Sequence, residues 1–167
     1  DLSNLYAAVK FHKACQGKGI KPIFGSEVVI GTEQTRVTLL AMNQTGWRHL
    51  IEIVSRGYTD GLNLGVPQVE REWIFAKHEG LIVLLGQHSE VGKLLCSAVP
   101  ERAQPVVQAW QAVFGDRLYL ALTRTQRPGE DDYIEAALDL AEAQGLPVVA
   151  HNDLRFMTAE DFDAHEA

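Results

Sequence analysis

Apolar and polar positions alternate between two periods along this chain, a helical spacing of three to four residues and short continuous apolar runs, in the order expected of an α/β fold around a mainly parallel sheet. A helix is expected from Ser3 to Gln16, stopped by the Gly17-Lys18-Gly19 turn. Ile20 to Ile30 reads as a strand entered through Pro22, with Val37 to Ala41 as its hairpin partner. Trp47, Leu50, Ile51 and Val54 share one helix face at i, i+3, i+4 and i+7. Tyr58 to Val69, rich in Gly, Asn and Asp and containing Pro67, is expected to be a surface excursion.

The second half repeats the alternation. Leu81 to Leu85 is a buried strand, and Ser89-Glu90 opens a helix through Leu94 and Leu95. Val106, Trp110 and Val113 form the inner stripe of the next helix, followed by a strand from Leu118 to Leu122. Glu130, Asp131 and Asp132 collect where a helix N-terminus favours negative charge, and that helix turns Ile134, Ala137, Leu138 and Ala141 to one side before ending at Gly145. Leu146 to Ala150 is the last strand, and Thr158 with Asp161 resembles a capping pattern for one more helix.

Composition narrows what such a fold can do. With 167 residues, 46% of them apolar, and no Pro/Gly/Ser-rich spacer, one domain or most of one is expected across 1–167. A formal charge of −7 opposes a direct grip on nucleic-acid phosphates. Cys15 and Cys96 lack CxxC spacing and no secretory segment accompanies them, so a cytoplasmic compartment is expected. The longest apolar run falls far short of the roughly 20 residues a bilayer requires, so no membrane partner is expected.

Candidate chemistry gathers just after the apolar runs, where α/β barrels carry their sites. These positions are Gln87-His88, Thr123-Arg124 and His151-Asn152-Asp153, with Glu27 inside its strand beside Gly25 and Ser26. Each is individually compatible with a turn or a cap. The six histidines give no HxH, no HExxH and no pair one helical turn apart, so a metal site built from locally spaced ligands is absent. His12, His49 and His78 read as helix-surface or partly buried residues.

Several segments together carry a family resemblance: Asp1-Leu2-Ser3-Asn4, Val9-Lys10-Phe11 followed by Gly19 to Glu27, Leu39 to Asn43 with Gly46 to Leu50, Glu79 to Leu84, Arg124-Thr125 with Arg127-Pro128, Gly145 to Ala150, Asn152 to Phe156, and Asp161 to Glu166. In this order they resemble the PHP (polymerase and histidinol phosphatase) domain in the form found in alpha subunits of Gram-negative bacterial DNA polymerase III. The resemblance implies a distorted TIM-like barrel of about seven strands, with the first strand expected to precede Asp1 and the chain expected to be cut at both ends. It also implies membership of a replicative DNA polymerase, a nucleotidyltransferase whose Mg2+ serves a polymerase domain outside these residues. The implied partners are a proofreading exonuclease subunit and other replicase subunits, with DNA reached through other domains.

Intact members of the family hold divalent ions on His and carboxylate ligands. Here the His expected after Asp1 is Leu2, that of the second hairpin strand is Arg36, the Cys or His near the third strand end is Gln87, and the His after Asn152-Asp153 is Arg155. Asp1, Glu27 and Asp153 remain as plausible ligands, with His151 and His165 weaker. A guanidinium about 4 Å from a dication is repelled by up to roughly 8 kcal/mol at an effective dielectric near 20, and Arg does not shed its charge to escape. Arg155, with Arg36 as a second candidate, is therefore expected to pair with Glu27, Asp1 or Asp153. No metal and no catalysis are expected in this domain. The alternatives are an active metal-dependent PHP phosphoesterase or 3′–5′ exonuclease, and an unrelated small α/β enzyme using His151, Asn152 and Asp153.

Overall fold

A computed structural model describes residues 2–152 and 154. Asp1, Asp153, Arg155 and His165, and the capping pattern at Thr158 and Asp161, lie outside the described residues.

The elements run α1 (Ala8–Gly17), β1 (Gly25–Ile30), β2 (Thr35–Ala41), α2 (Gln44–Thr59), β3 (Leu62–Asn63), β4 (Val66–Val69), α3 (Arg71–Ala76), β5 (Leu81–Leu85), α4 (Glu90–Leu95), α5 (Ala103–Phe114), β6 (Leu118–Leu122), α6 (Glu130–Gln144) and β7 (Val148–Ala150). The strands form one seven-stranded sheet in the order β3-β4-β1-β2-β5-β6-β7. β2 runs antiparallel to both of its neighbours, β1 and β5, and β3 antiparallel to β4, while β1 with β4, β5 with β6, and β6 with β7 pair in parallel. Five of the seven strands therefore point the same way, and β2 and β3 oppose them.

The registers sort side chains by face. Val28 lies opposite Val37, Leu39 opposite Val83, Val83 beside Leu118, and Leu85 beside Leu120. All of these are at most 3% exposed, on the face packed by α2, α4, α5 and α6. The alternate set, Glu27, Thr38, Leu84 and Tyr119, is one continuous row on the other face. That separation follows from the period of two along each strand.

Several boundaries differ from the sequence reading. The first helix begins at Ala8 because Leu2 bridges Glu27, the Ser3 amide donates to the Glu27 carbonyl at 2.6 Å, and the Tyr6 amide donates to Asn4 Oδ1. Leu2 and Ser3 are thus tied to β1, and the helix winds only from Ala8. The strand expected from Ile20 starts at Gly25. The 58–69 excursion is an ordered hairpin: Leu64 at its tip is 98% exposed, but β4 enters the sheet beside β1 and buries Gln68 and Val69.

The helix stripes are rotated from those expected. In α2, Ile53 is buried and Ile51 is exposed. In α5 the inner line is Ala103, Val107, Trp110 and Phe114, in place of Val106 and Val113. In α6 it is Tyr133, Ala137 and Ala141, with Leu138 exposed. Where apolar residues occupy more than one side of a helix, spacing alone leaves the rotation undetermined. Gly145 does close α6, in the left-handed conformation.

The start of α2 is fixed by a close backbone approach. Asn43 caps the helix, its Oδ1 accepting from the Gly46 amide at 3.0 Å, and the Met42 amide donates to the Gly80 carbonyl. A Cβ on Gly46 would fall inside the Gly80 carbonyl group, whereas one on Gly17 would meet open space. Gly46→Ala is therefore expected to cost about 1–3 kcal/mol through forced backbone movement, and Gly17→Ala to be neutral or stabilising by up to about 1 kcal/mol. Urea denaturation of both variants checks the pair.

Candidate functional site

At the C-terminal ends of β5, β6 and β7 the polar face of the sheet opens into a cleft of about 190 Å³. Glu27, Arg36, Thr38 and Leu84 form its floor, Gly86, Gln87 and His88 one wall, and Ala121, Thr123, Arg127, Pro128, Glu130 and His151 the other. β1 and β2 place the first charges. Glu27 faces Thr38 across the ladder and Arg36 lies two residues from Thr38, so the two charged side chains are diagonal neighbours on one face.

Arg36 Nη1 stands 3.6 Å from Glu27 Oε1, with both side chains about one-third exposed. The Arg36 amide also donates to the His88 carbonyl at 2.9 Å, tying the start of β2 to the loop after β5. That loop is rigid in its own right. Ser89 Oγ donates to the Gly86 carbonyl at 2.6 Å and accepts from the Gly92 amide, capping α4. A Cβ on Gly92 would collide with the Gly86 and Gln87 carbonyls, so the helix sits directly against the loop that carries Gln87 and His88.

The opposite wall is organised by Glu130, only 4% exposed. Its carboxylate accepts from the Thr125 hydroxyl at 2.6 Å, the Thr125 amide at 2.6 Å and the Arg127 amide at 3.1 Å. The Thr125 hydroxyl is the main cause holding this carboxyl below its ordinary range; burial opposes it, and the backbone amides add to the lowering. The bonds fold 125–129 into a tight loop, with Gln126 at φ 67°, that carries Arg127 to the cleft. Beneath it Tyr133, 2% exposed, donates its hydroxyl to the Ala121 carbonyl at 3.0 Å, with the Leu85 carbonyl 3.4 Å away. Burial raises the Tyr133 phenol far above its usual range, so it remains a donor.

The cleft thus brings together Glu27, Arg36, Gln87 and His151 from the sequence-based set, with His88 and Thr123. Leu2 bridges Glu27 through backbone and is 38% exposed. Arg124 turns away and pairs with Asp131 at 3.1 Å. Arg127 and Glu130 also line the cleft, beyond the positions the sequence marks as candidates. Glu130 reads from sequence as a helix-start charge, and Arg127 follows its strand by five residues; the Thr-x-Arg-x-x-Glu spacing is the signal that links them.

A divalent cluster does not fit the described donors. Among the described residues no three His, Cys, Asp or Glu side chains converge to hold a metal ion, the Glu130 oxygens are engaged by Thr125 and Arg127, and a guanidinium sits beside Glu27.

The family profile of the PHP domain matches residues 1–125, and the chain belongs to the PHP domain family. Its relatives include three proteins named DNA polymerase III subunit alpha. Those of Pseudomonas fluorescens and Escherichia coli K12 are 41% and 42% identical over 172 aligned positions, each alignment covering 99% of this chain and 15% of the relative. That of Xylella fastidiosa Temecula1 is 41% identical, covering 100% of this chain and 14% of the relative. The chain therefore spans about 15% of the length of these relatives. A putative metal-dependent phosphoesterase from Bifidobacterium adolescentis superposes with a TM-score of 0.51 at 14% identity, over 90% of this chain and 73% of the other, and shares the fold.

Two outcomes follow from the Glu130 wall. Tyr133→Phe removes the buried donor to Ala121 and is expected to cost about 1–3 kcal/mol in chemical denaturation. Because the Glu130 carboxyl is lowered in the folded state, its contribution is complete above the ordinary carboxylate range and lost as pH falls through the lowered value. Wild type is thus expected to lose stability more steeply than Thr125→Val between about pH 5 and pH 2, measured by urea midpoints at each pH.

Proposed function

We propose that this chain is the PHP portion of a bacterial replicative DNA polymerase alpha subunit and serves there as a structural module without hydrolytic activity. The observation that carries this reading is the Arg36–Glu27 pair on the floor of the cleft, a fixed positive charge beside the carboxylate that a metal would need. Leu2 and Gln87, which offer no metal-binding imidazole or thiolate, support it. Identity of about 41–42% over nearly the whole chain to proteins named DNA polymerase III subunit alpha supports the parent's role in DNA replication. Template-directed nucleotide addition with Mg2+ belongs to parts of the parent outside these 167 residues, and DNA is held there.

The same reading assigns this domain a docking role toward the proofreading exonuclease subunit, within a cytoplasmic replicase that includes other subunits. Among the described residues no helix is long and apolar enough to cross a membrane. A second reading, a metal-dependent phosphoesterase or 3′–5′ exonuclease, draws on Glu27, His88 and His151 lining one cleft in a fold shared with a protein described as a putative metal-dependent phosphoesterase.

The two readings separate in one assay. Full-length protein incubated with a phosphodiester substrate and Mn2+ is expected to show no EDTA-sensitive turnover, and sustained EDTA-sensitive turnover would establish the second reading. A Glu27→Gln/Arg36→Gln double-mutant cycle on stability is expected to give a favourable coupling of about 0.2–1 kcal/mol, the range for a partly exposed pair.

A further inference from the structure

We infer that the groove between α1 and the start of α2 is a docking site for an acidic amphipathic helix of a partner protein. The groove shares no lining residue with the strand-end cleft, so the inference stands whether or not that cleft binds metal. About 740 Å³ is enclosed between α1, residues 21–24, the end of β2 and the first turn of α2. Volumes of roughly 300–1,000 Å³ are those of ligand pockets.

The lining is apolar and open to water. Val9, Ile23 and Met42 face the groove and each is more than half exposed, although side chains of this kind are ordinarily buried. Behind them the Phe24 and Trp47 rings stand 5.2 Å apart, and Phe11 meets Phe24 edge-on at 6.0 Å. These rings pack on one another, and the exposed apolar surface is mainly aliphatic, which suits apolar side chains better than stacked bases. The floor is also built in advance: the Ala41 amide donates to the Phe24 carbonyl at 2.8 Å, the Ile20 amide to the Cys15 carbonyl at 2.9 Å, and Asn43 caps α2. A partner therefore meets a surface that needs little ordering.

Charge decides what kind of partner fits. The chain as a whole has 22 acidic residues and a formal charge of −7, yet residues 2–26 contain Lys10, Lys13, Lys18, Lys21 and His12 and no acid. Even with Asp1 counted, lysines outnumber acids four to one over 1–26. Lys13, Lys21 and His12 line the groove itself, and none of the four lysines is in an ion pair with another described residue. On the α2 side the nearby carboxylate of Glu52 is already paired with Lys77 at 2.8 Å. An apolar floor with a basic rim is complementary to a segment that carries apolar side chains on one face and carboxylates beside them. A groove flanked by two helices takes such a segment as a helix.

The test is fluorescence anisotropy of a labelled helical peptide, with Leu and Phe at i, i+3, i+4 and i+7 and Glu and Ala elsewhere, titrated with the full-length protein. Binding is expected to weaken roughly tenfold in Lys13→Glu/Lys21→Glu, which replaces two attractions by two repulsions, and to weaken as salt is raised. Ile23→Ser is expected to weaken it as well, and Arg102→Glu, at an exposed site outside the groove, to leave it unchanged. Peptides with Lys in place of Glu, or Ser in place of Leu and Phe, are expected not to bind. In a second measurement the free full-length protein is acetylated and read by mass spectrometry: Lys13 and Lys21 are expected to react, and the acidic peptide to protect them. Absence of binding, or binding that Lys13→Glu/Lys21→Glu leaves unchanged, overturns the inference. So do lysines that are unreactive before peptide is added, because the groove is then covered by the protein's own chain or by a second copy. Displacement of the peptide by a single-stranded oligonucleotide at lower concentration than unlabelled peptide overturns it in favour of nucleic acid.

Discussion

The fold depends on the alternation of side chains across one sheet whose registers are fixed from β4 to β7. Val28, Val37, Leu39, Val83, Leu85, Leu118 and Leu120 meet the helices on one face. A slip of one residue in any pairing would send that strand's apolar set to the other side. The polar cleft is the complement of this requirement. Glu27, Arg36 and Thr38 share a floor because their neighbours Val28 and Val37 are needed in the core.

The helices then set the walls. α4 begins against the loop that carries Gln87 and His88, which only a glycine at position 92 permits, and α6 begins with a buried carboxylate that folds the loop after β6. Tyr133 joins the two sides, its hydroxyl lying within reach of carbonyls from both β5 and β6. The cleft is therefore shaped by caps and strand ends whose bonds are buried or partly buried, while its floor holds a looser ion pair. Rigidity of the walls and latitude on the floor are separate properties of the same site.

Much of this was legible in the sequence, for identifiable reasons. Short apolar runs such as Leu81 to Leu85 and Leu118 to Leu122 admit little besides a buried strand, and Ser89 and Gly145 mark helix ends by their chemistry. The family resemblance puts Arg155 first and Arg36 second as partners for Glu27, Asp1 or Asp153; the hairpin register brings Arg36 beside Glu27, while Arg155, Asp1 and Asp153 lie outside the described residues. Helix rotation was less accessible, because α5 carries apolar residues on several sides and packing alone selects Val107 over Val106. The segment before Ala8 looked helical since nothing local reveals that Leu2 and Ser3 are tied to Glu27, a contact 24 or more residues away. Glu130 was hidden for a related reason: a carboxylate at a helix start is ordinarily solvated, and only the tertiary fold shows this one buried.

One feature of the hairpin bears on how the domain assembles. β1 and β2 are joined by residues 31–34, with Gly31 and Gln34 both in the left-handed region, so closing this pair costs little chain entropy. The partners of the remaining cleft arrive from much farther along the chain, β6 beginning at Leu118 and β7 at Val148. The two charged residues of the floor are thus joined by a local pairing, whereas the walls depend on strands distant in the chain. Contact between Glu27 and Arg36 needs only the hairpin, and the later strands enclose a pair whose placement the hairpin register already sets.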